Sequence, residues 1–78
     1  MELTIISTQT PSAGVIQVEW EVYNPPGTGK VMQEEVYLTI DGEQVHSRVV
    51  SMNEDVTYNF TTTIDGVSPG KHVVCATE

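Results

Sequence analysis

Basic residues are scarce in this chain. Its 78 residues hold three, Lys30, Arg48 and Lys71, against eleven Asp and Glu, for a formal net charge of −8. Holding a nucleic-acid backbone takes clustered Lys and Arg, so nucleic acid is excluded as a partner. Anionic membrane surfaces are disfavoured on the same ground. The single cysteine, Cys75, excludes an internal disulfide. No apolar run approaches the ~18–20 residues of a membrane span, so no membrane insertion is expected. The opening MELTIISTQTPS lacks a basic segment followed by an apolar run, so it does not read as a secretory signal. A start Met added ahead of an excised domain would look the same.

The acidity has two readings. One is an ordinary solvated surface. The other is adaptation to high salt, where screening makes dense carboxylates tolerable. Having only three basic residues favours the second. Length adds a further constraint. A chain this short reads as one domain, residues 1–78, and buries only about 60–65% of the surface its unfolded form exposes. With neither a disulfide nor a metal-ligand cluster, assembly is the remaining way to add stability.

Period-two alternation dominates what is present. Ile16, Val18, Trp20 and Val22 alternate with polar residues, as do Val36, Leu38 and Ile40. Each run reads as a strand with one buried and one wet face. Asp41-Gly42 then joins the second run to Gln44–Val50, the pattern of a two-residue hairpin turn with positive φ at both positions. An unbroken register from that turn sets Leu38 opposite Val45, Tyr37 opposite His46, and Glu35 opposite Arg48 as a cross-strand ion pair. Val56 to Ile64 alternates again, Asp65 to Gly70 is a turn cluster, and His72, Val74 and Ala76 mark a last strand. Leu3 and Ile5 suggest a first strand, with Ser7 to Gly14 as a connection broken by Pro11 and Gly14. Six to seven short antiparallel strands and no helical period predict an all-β, Ig-like sandwich.

Several stretches invite a chemical reading. NPPGTGKV, Asn24 to Val31, has the look of a phosphate-binding loop. The motif needs Gly at the position of Asn24, a hydroxyl at that of Val31, and a helix behind it. An alternating strand follows instead, so no nucleotide is expected, and Pro25, Pro26, Gly27 and Gly29 read as a turn-rich connection. His46, His72 and Cys75 lack the spacing of a zinc site. His46 reads as a surface partner of Tyr37, and Cys75 as a small buried core residue. Glu54-Asp55 and Asp65 could gather at one end as a weak calcium site, although neither has the loop spacing. Asn59-Phe60-Thr61 matches a glycosylation acceptor but sits inside a strand, so chance is the better reading. Trp20 reads as a core anchor, not a sugar platform. No cofactor and no catalytic constellation is expected.

Val18 to Val45, VEWEVYNPPGTGKVMQEEVYLTIDGEQV, resembles the CARDB type of bacterial and archaeal Ig-like domain, a relative of fibronectin type III sandwiches. Asn24, Gly27, Gly29, Asp41, Gly42, Pro69 and Gly70 match that family's turn signals. The resemblance spans roughly residues 3–78. His72 stands where an aromatic is usual, a departure that bears on any tyrosine-corner-like contact. The resemblance implies an adhesion, stalk or surface module without catalytic residues.

A seventh strand is not visible before Glu78, so either the first strand covers the gap or an edge lies open to another chain. Val73, Val74, Cys75, Ala76 and Thr77 are the candidate pairing edge. Asn24, Pro25, Pro26 and Gly27, with Thr28, Gly29 and Lys30, form a candidate interaction loop. The expected function is a non-enzymatic structural module acting by assembly. It would be a virus or phage particle component (capsid decoration, turret or minor capsid protein), with a halophilic host as the setting the acidity suggests. Expected partners are its own copies or a shell protein, and the expected location is the virion. The alternative is an extracellular adhesion or carbohydrate-binding module at a cell surface.

Overall fold

The computed structural model describes residues 1–27 and 31–78. Thr28, Gly29 and Lys30 of the candidate loop lie outside the described residues. Six strands follow in order: β1 (Glu2–Ser12), β2 (Val15–Asn24), β3 (Met32–Ile40), β4 (Glu43–Met52), β5 (Val56–Ile64) and β6 (Val74–Thr77). They form two antiparallel three-stranded sheets, ordered β1-β2-β5 and β4-β3-β6, with no helix among the described residues. The chain is a small all-β sandwich, as the alternation predicts.

The core lies where the period-two faces meet. Ile16, Val18, Trp20 and Val22 of β2 pack against Val36, Leu38 and Ile40 of β3, with Val50 and Met52 from β4. Trp20 is fully buried, and its indole N–H donates to the Thr62 hydroxyl at 3.0 Å. Phe60 tilts against the indole, with ring centroids 5.1 Å apart. Only the two central strands carry a continuous buried face, because each sheet has one central strand and two edges. The result is thin: the radius of gyration is 13.6 Å, against about 11.5 Å for a compact chain of this length.

Asp41 and Gly42 form the predicted turn, with φ of 54° and 83°. The register beyond it departs from the unbroken hairpin. Ile40 pairs Glu43 and Thr39 pairs Gln44, but Leu38 then pairs His46. A bulge at Val45 takes up one extra β4 residue, and a one-residue slip turns every later side chain to the other face. Val50 and Met52 enter the core while Val49 is 59% exposed. The expected Glu35–Arg48 and Tyr37–His46 pairs do not form. Glu35 opposes Val49, and the Arg48 guanidinium lies 4.0 Å from the Phe60 ring centroid. His46 sits edge-on to Trp20 instead of pairing at the surface.

Two further expectations are corrected. The first strand does not stop at Ser7. It runs to Ser12, absorbing Ile6 and Thr10-Pro11 as irregularities in its pairing with β2. Pro11 is tolerated because β1 is a sheet edge, where one row of N–H groups needs no ladder partner. Cys75 is exposed, not buried. Val74 and Ala76 take the inner face of β6, and alternation sends Cys75 outward.

Candidate functional site

The described loop residues and the last strand are held by two ties at different places. The first fixes the end of β2 to the β4–β5 turn. Asn24 is 1% exposed, and its side-chain amide donates to the Met52 carbonyl at 3.3 Å. Its own carbonyl accepts from the Asp55 N–H at 2.7 Å. The Tyr23 hydroxyl donates to Asp55 at 2.8 Å, and the Gly27 N–H donates to Glu54 at 2.9 Å. The hydrogen bond to Asp55 is the main cause holding the Tyr23 phenol above its ordinary pKa. Asn24 is therefore withdrawn from the surface, and Pro26 and Gly27 are the exposed described part of the loop. The chain leaves the loop into β3, not into a helix.

The second tie fixes the entrance to β6. The Asp41 N–H donates to the Val73 carbonyl at 2.8 Å, and the Val73 N–H donates back to the Asp41 carboxylate at 2.8 Å. That carboxylate also meets His72 Nδ1 at 2.6 Å, while His72 Nε2 lies 2.7 Å from the Ser68 carbonyl. Both partners of the imidazole are acceptors, so only the doubly protonated ring donates to both. The hydrogen bond to Asp41, then that to Ser68, hold the His72 pKa above its ordinary 6.5. The bond to His72, then that to the Val73 N–H, hold Asp41 below 3.8. His72 thus returns to a backbone carbonyl four residues upstream at the β5–β6 corner. In Ig-type sandwiches a tyrosine hydroxyl makes a contact of this kind. The aromatic expectation hid a contact that a histidine also makes.

This dyad is poorly placed for proton transfer. A general base needs a free ring nitrogen facing a substrate, and both His72 nitrogens are engaged. Around it lie open clefts. One of about 650 Å³ lies between Ala13-Gly14 and the Val67–Gly70 segment. Another of about 330 Å³ lies beside β6, with Thr8, Thr10, Ile16 and Val74 among its walls. No group of three or more His, Cys, Asp or Glu among the described residues is arranged to hold a metal. Glu54-Asp55 and Asp65 do not gather, because they flank the opposite ends of β5, nine residues and about 30 Å long.

The sheet edges complete the picture. Among the described residues β6 is hydrogen-bonded to β3 and to no other strand, with Ala76 opposite Leu38 and Val74 opposite Ile40. β1 touches β6 along the side of the sandwich but pairs only with β2. Of the five candidate edge residues, Val74, Cys75, Ala76 and Thr77 form the strand. Val73 stands just before it, with both backbone groups taken by Asp41 and a side chain 65% exposed. Sequence reading missed the Asp41–His72 clasp because its partners are 31 residues apart. The available signal was a turn Asp and a corner His at the two ends of strands that pair. Comparison with family models, with curated proteins and with solved structures finds no match.

Proposed function

We propose that this chain is a non-enzymatic structural module that works by assembly, with an open sheet edge as its working surface. The observation that supports this reading is β6. It carries apolar residues on its inner face, no charge along its length, and a backbone edge that no strand pairs among the described residues, although β1 packs alongside it. An edge of that kind is a template for another strand, whose backbone supplies the missing hydrogen bonds. The thin core adds a thermodynamic reason, because another chain against the edge buries surface that this chain cannot bury alone. The CARDB-like resemblance points the same way, toward stalk and surface modules. The setting we favour is a virus or phage particle, as a capsid decoration, turret or minor capsid protein that contacts its own copies or a shell protein. That setting rests on analogy between uses of a fold, not on a site. A halophilic host fits the net charge of −8.

Light scattering coupled to size exclusion, from about 0.1 M to about 3 M salt, tests the reading. Assembly is expected, strengthening as salt screens the repulsion between acidic copies. A strict monomer, equally folded at both ends of the range, overturns assembly and salt adaptation together.

A further inference from the structure

We infer that Asn59 is an acceptor for an N-linked sugar, held near the middle of the β5 edge. The inference goes beyond the assembly reading and holds for a particle component and a surface module alike.

Asn59, Phe60 and Thr61 form the chain's one Asn-x-Thr triplet. Of the three asparagines, Asn24 precedes Pro25-Pro26 and Asn53 precedes Glu54-Asp55, so neither has a hydroxyl residue two positions on. Asn24 is also buried and bonded to Met52. A place inside a strand argues against an acceptor where both sides of that strand are taken. β5 is an edge, hydrogen-bonded to β2 alone among the described strands. Alternation puts Asn59 and Thr61 together on the outer face of the sheet, and both are exposed. Phe60 between them points inward against Trp20. The Asn59 side chain has no hydrogen-bond partner among the described residues.

The transfer uses a sugar carried on a polyprenyl phosphate. The Asn59 amide nitrogen attacks the anomeric carbon, and a C–N bond replaces the C–O bond to the phosphate. The lipid phosphate leaves, and the amide gives up one proton to a base of the transferase. The Thr61 hydroxyl is the recognition element of the triplet. The transferase needs a free extended segment, so the step precedes the docking of β5 on β2. Once β5 docks, the substituted amide still faces water, and the Trp20–Phe60 contact forms unhindered.

The sheet edges show what a sugar does at this place. β1 contains Pro11 and two irregularities, and β4 contains a bulge, Glu43 and Arg48. β6 has four residues, and β1 packs alongside it. Short length, proline, bulges, charge and cover all blunt an edge. β5 has nine residues in regular register, without proline or charge. Its protection is the pair Asp55 and Asp65 at its ends, and salt screens their repulsion. A sugar on the fourth of those nine residues blocks by bulk, which salt does not weaken.

Secretion of the 78-residue chain from a eukaryotic host behind a cleavable leader, read by intact mass spectrometry, tests the inference. We expect one glycan, released by peptide-N-glycosidase. Asn59→Gln and Thr61→Ala should lose it, and Thr61→Ser should keep part of it. A secreted parent chain without sugar overturns the inference. Trp20→Ala, which should not fold, then locates the failure in whole-cell extract. Sugar on Trp20→Ala alone shows that the folded strand hides Asn59, and sugar on neither shows that the triplet is not read. Light scattering at about 3 M salt, before and after glycosidase treatment, reads the guard role. Removal of the sugar should raise the mass at high concentration, and an unchanged mass overturns that role. None of these results bears on pairing at β6, so this inference and the assembly reading fail separately.

Discussion

β5 and β6 are both edges without proline, bulge or charge, yet their surroundings are built differently. The entrance to β5 is held by Asn24, a buried neutral amide bonded to Met52, beside the Asp55 N–H. The entrance to β6 is held by Asp41 and His72, an ionic clasp at the surface. β5 ends in two like charges, and β6 in two opposite ones. An edge strand is therefore not defined by its own residues alone. The tie that positions it and the charges that flank it also differ between the two edges.

The largest perturbation removes both edges at once. Trp20→Ala empties the centre of the core that both sheets share and should cost about 3–5 kcal/mol, much of the stability available to a chain of this size. Far-ultraviolet dichroism should show an unfolded or barely folded chain at 25 °C. A cooperative melt within a few degrees of the parent would mean that Trp20 does not anchor the core.

Asn24→Ala separates the two entrances. It leaves the Met52 carbonyl without its side-chain donor and should cost about 1–3 kcal/mol in urea titrations. Amide exchange should accelerate first around Asp55 and Val56, with Val74 to Thr77 following only as global stability falls. Equal early acceleration at β6 would show that the two ties are not independent.

A change of pH separates them from the other side. His72 has its pKa raised, so its contribution is complete below the unfolded value near 6.5 and is lost as pH rises through the higher folded value. Asp41 has its pKa lowered, so its contribution is complete above 3.8 and is lost as pH falls through the lower folded value. The clasp is therefore fully made between about pH 4 and 6.5 and opens on the alkaline side. Proton NMR of the His72 ring should show titration above that of an unfolded reference. Exchange at Val73, corrected for its intrinsic pH dependence, should rise with the same midpoint, and His72→Gln should remove that step. A normal His72 titration would break the clasp.

The smallest effect on the fold is a gain of association. Asp65→Lys gives β5 opposite charges at its two ends while leaving its strand unaltered. Stability should change by less than about 0.5 kcal/mol, with light scattering showing a larger mass than the parent at high concentration. A mass unchanged from the parent would mean that flanking charge does not select the edge.

Much of the sandwich was readable from alternation, because a strand with one buried face announces itself every second residue. β2, β3 and β5, and the Asp41-Gly42 turn, fall where the pattern places them. The pattern failed where a residue is added without a sequence mark. Nothing at Val45 distinguishes a bulge from a regular step, yet that step decides whether Val49 or Val50 enters the core. Pro11 argued for a connection, and edge position overrode it. Assigning Cys75 to the core relied on the usual burial of cysteine, where the alternation of Val74 and Ala76 already pointed it outward. The β6 edge was legible as the end of a strand pattern. The clasp that sets it was not, since no local spacing connects Asp41 to His72.

Oxidative trapping through Cys75 is the most direct test of the β6 pairing. Opposed residues of an antiparallel pair have Cα atoms about 4.5–5.5 Å apart, within the range a disulfide spans. The parent chain should form a covalent dimer under mild oxidation, and Cys75→Ser should form none. If the chain sediments as a dimer but Cys75 never traps it, while Asn59→Cys combined with Thr61→Cys on β5 does in a Cys75→Ser background, the assembly runs through the other edge and the account is wrong.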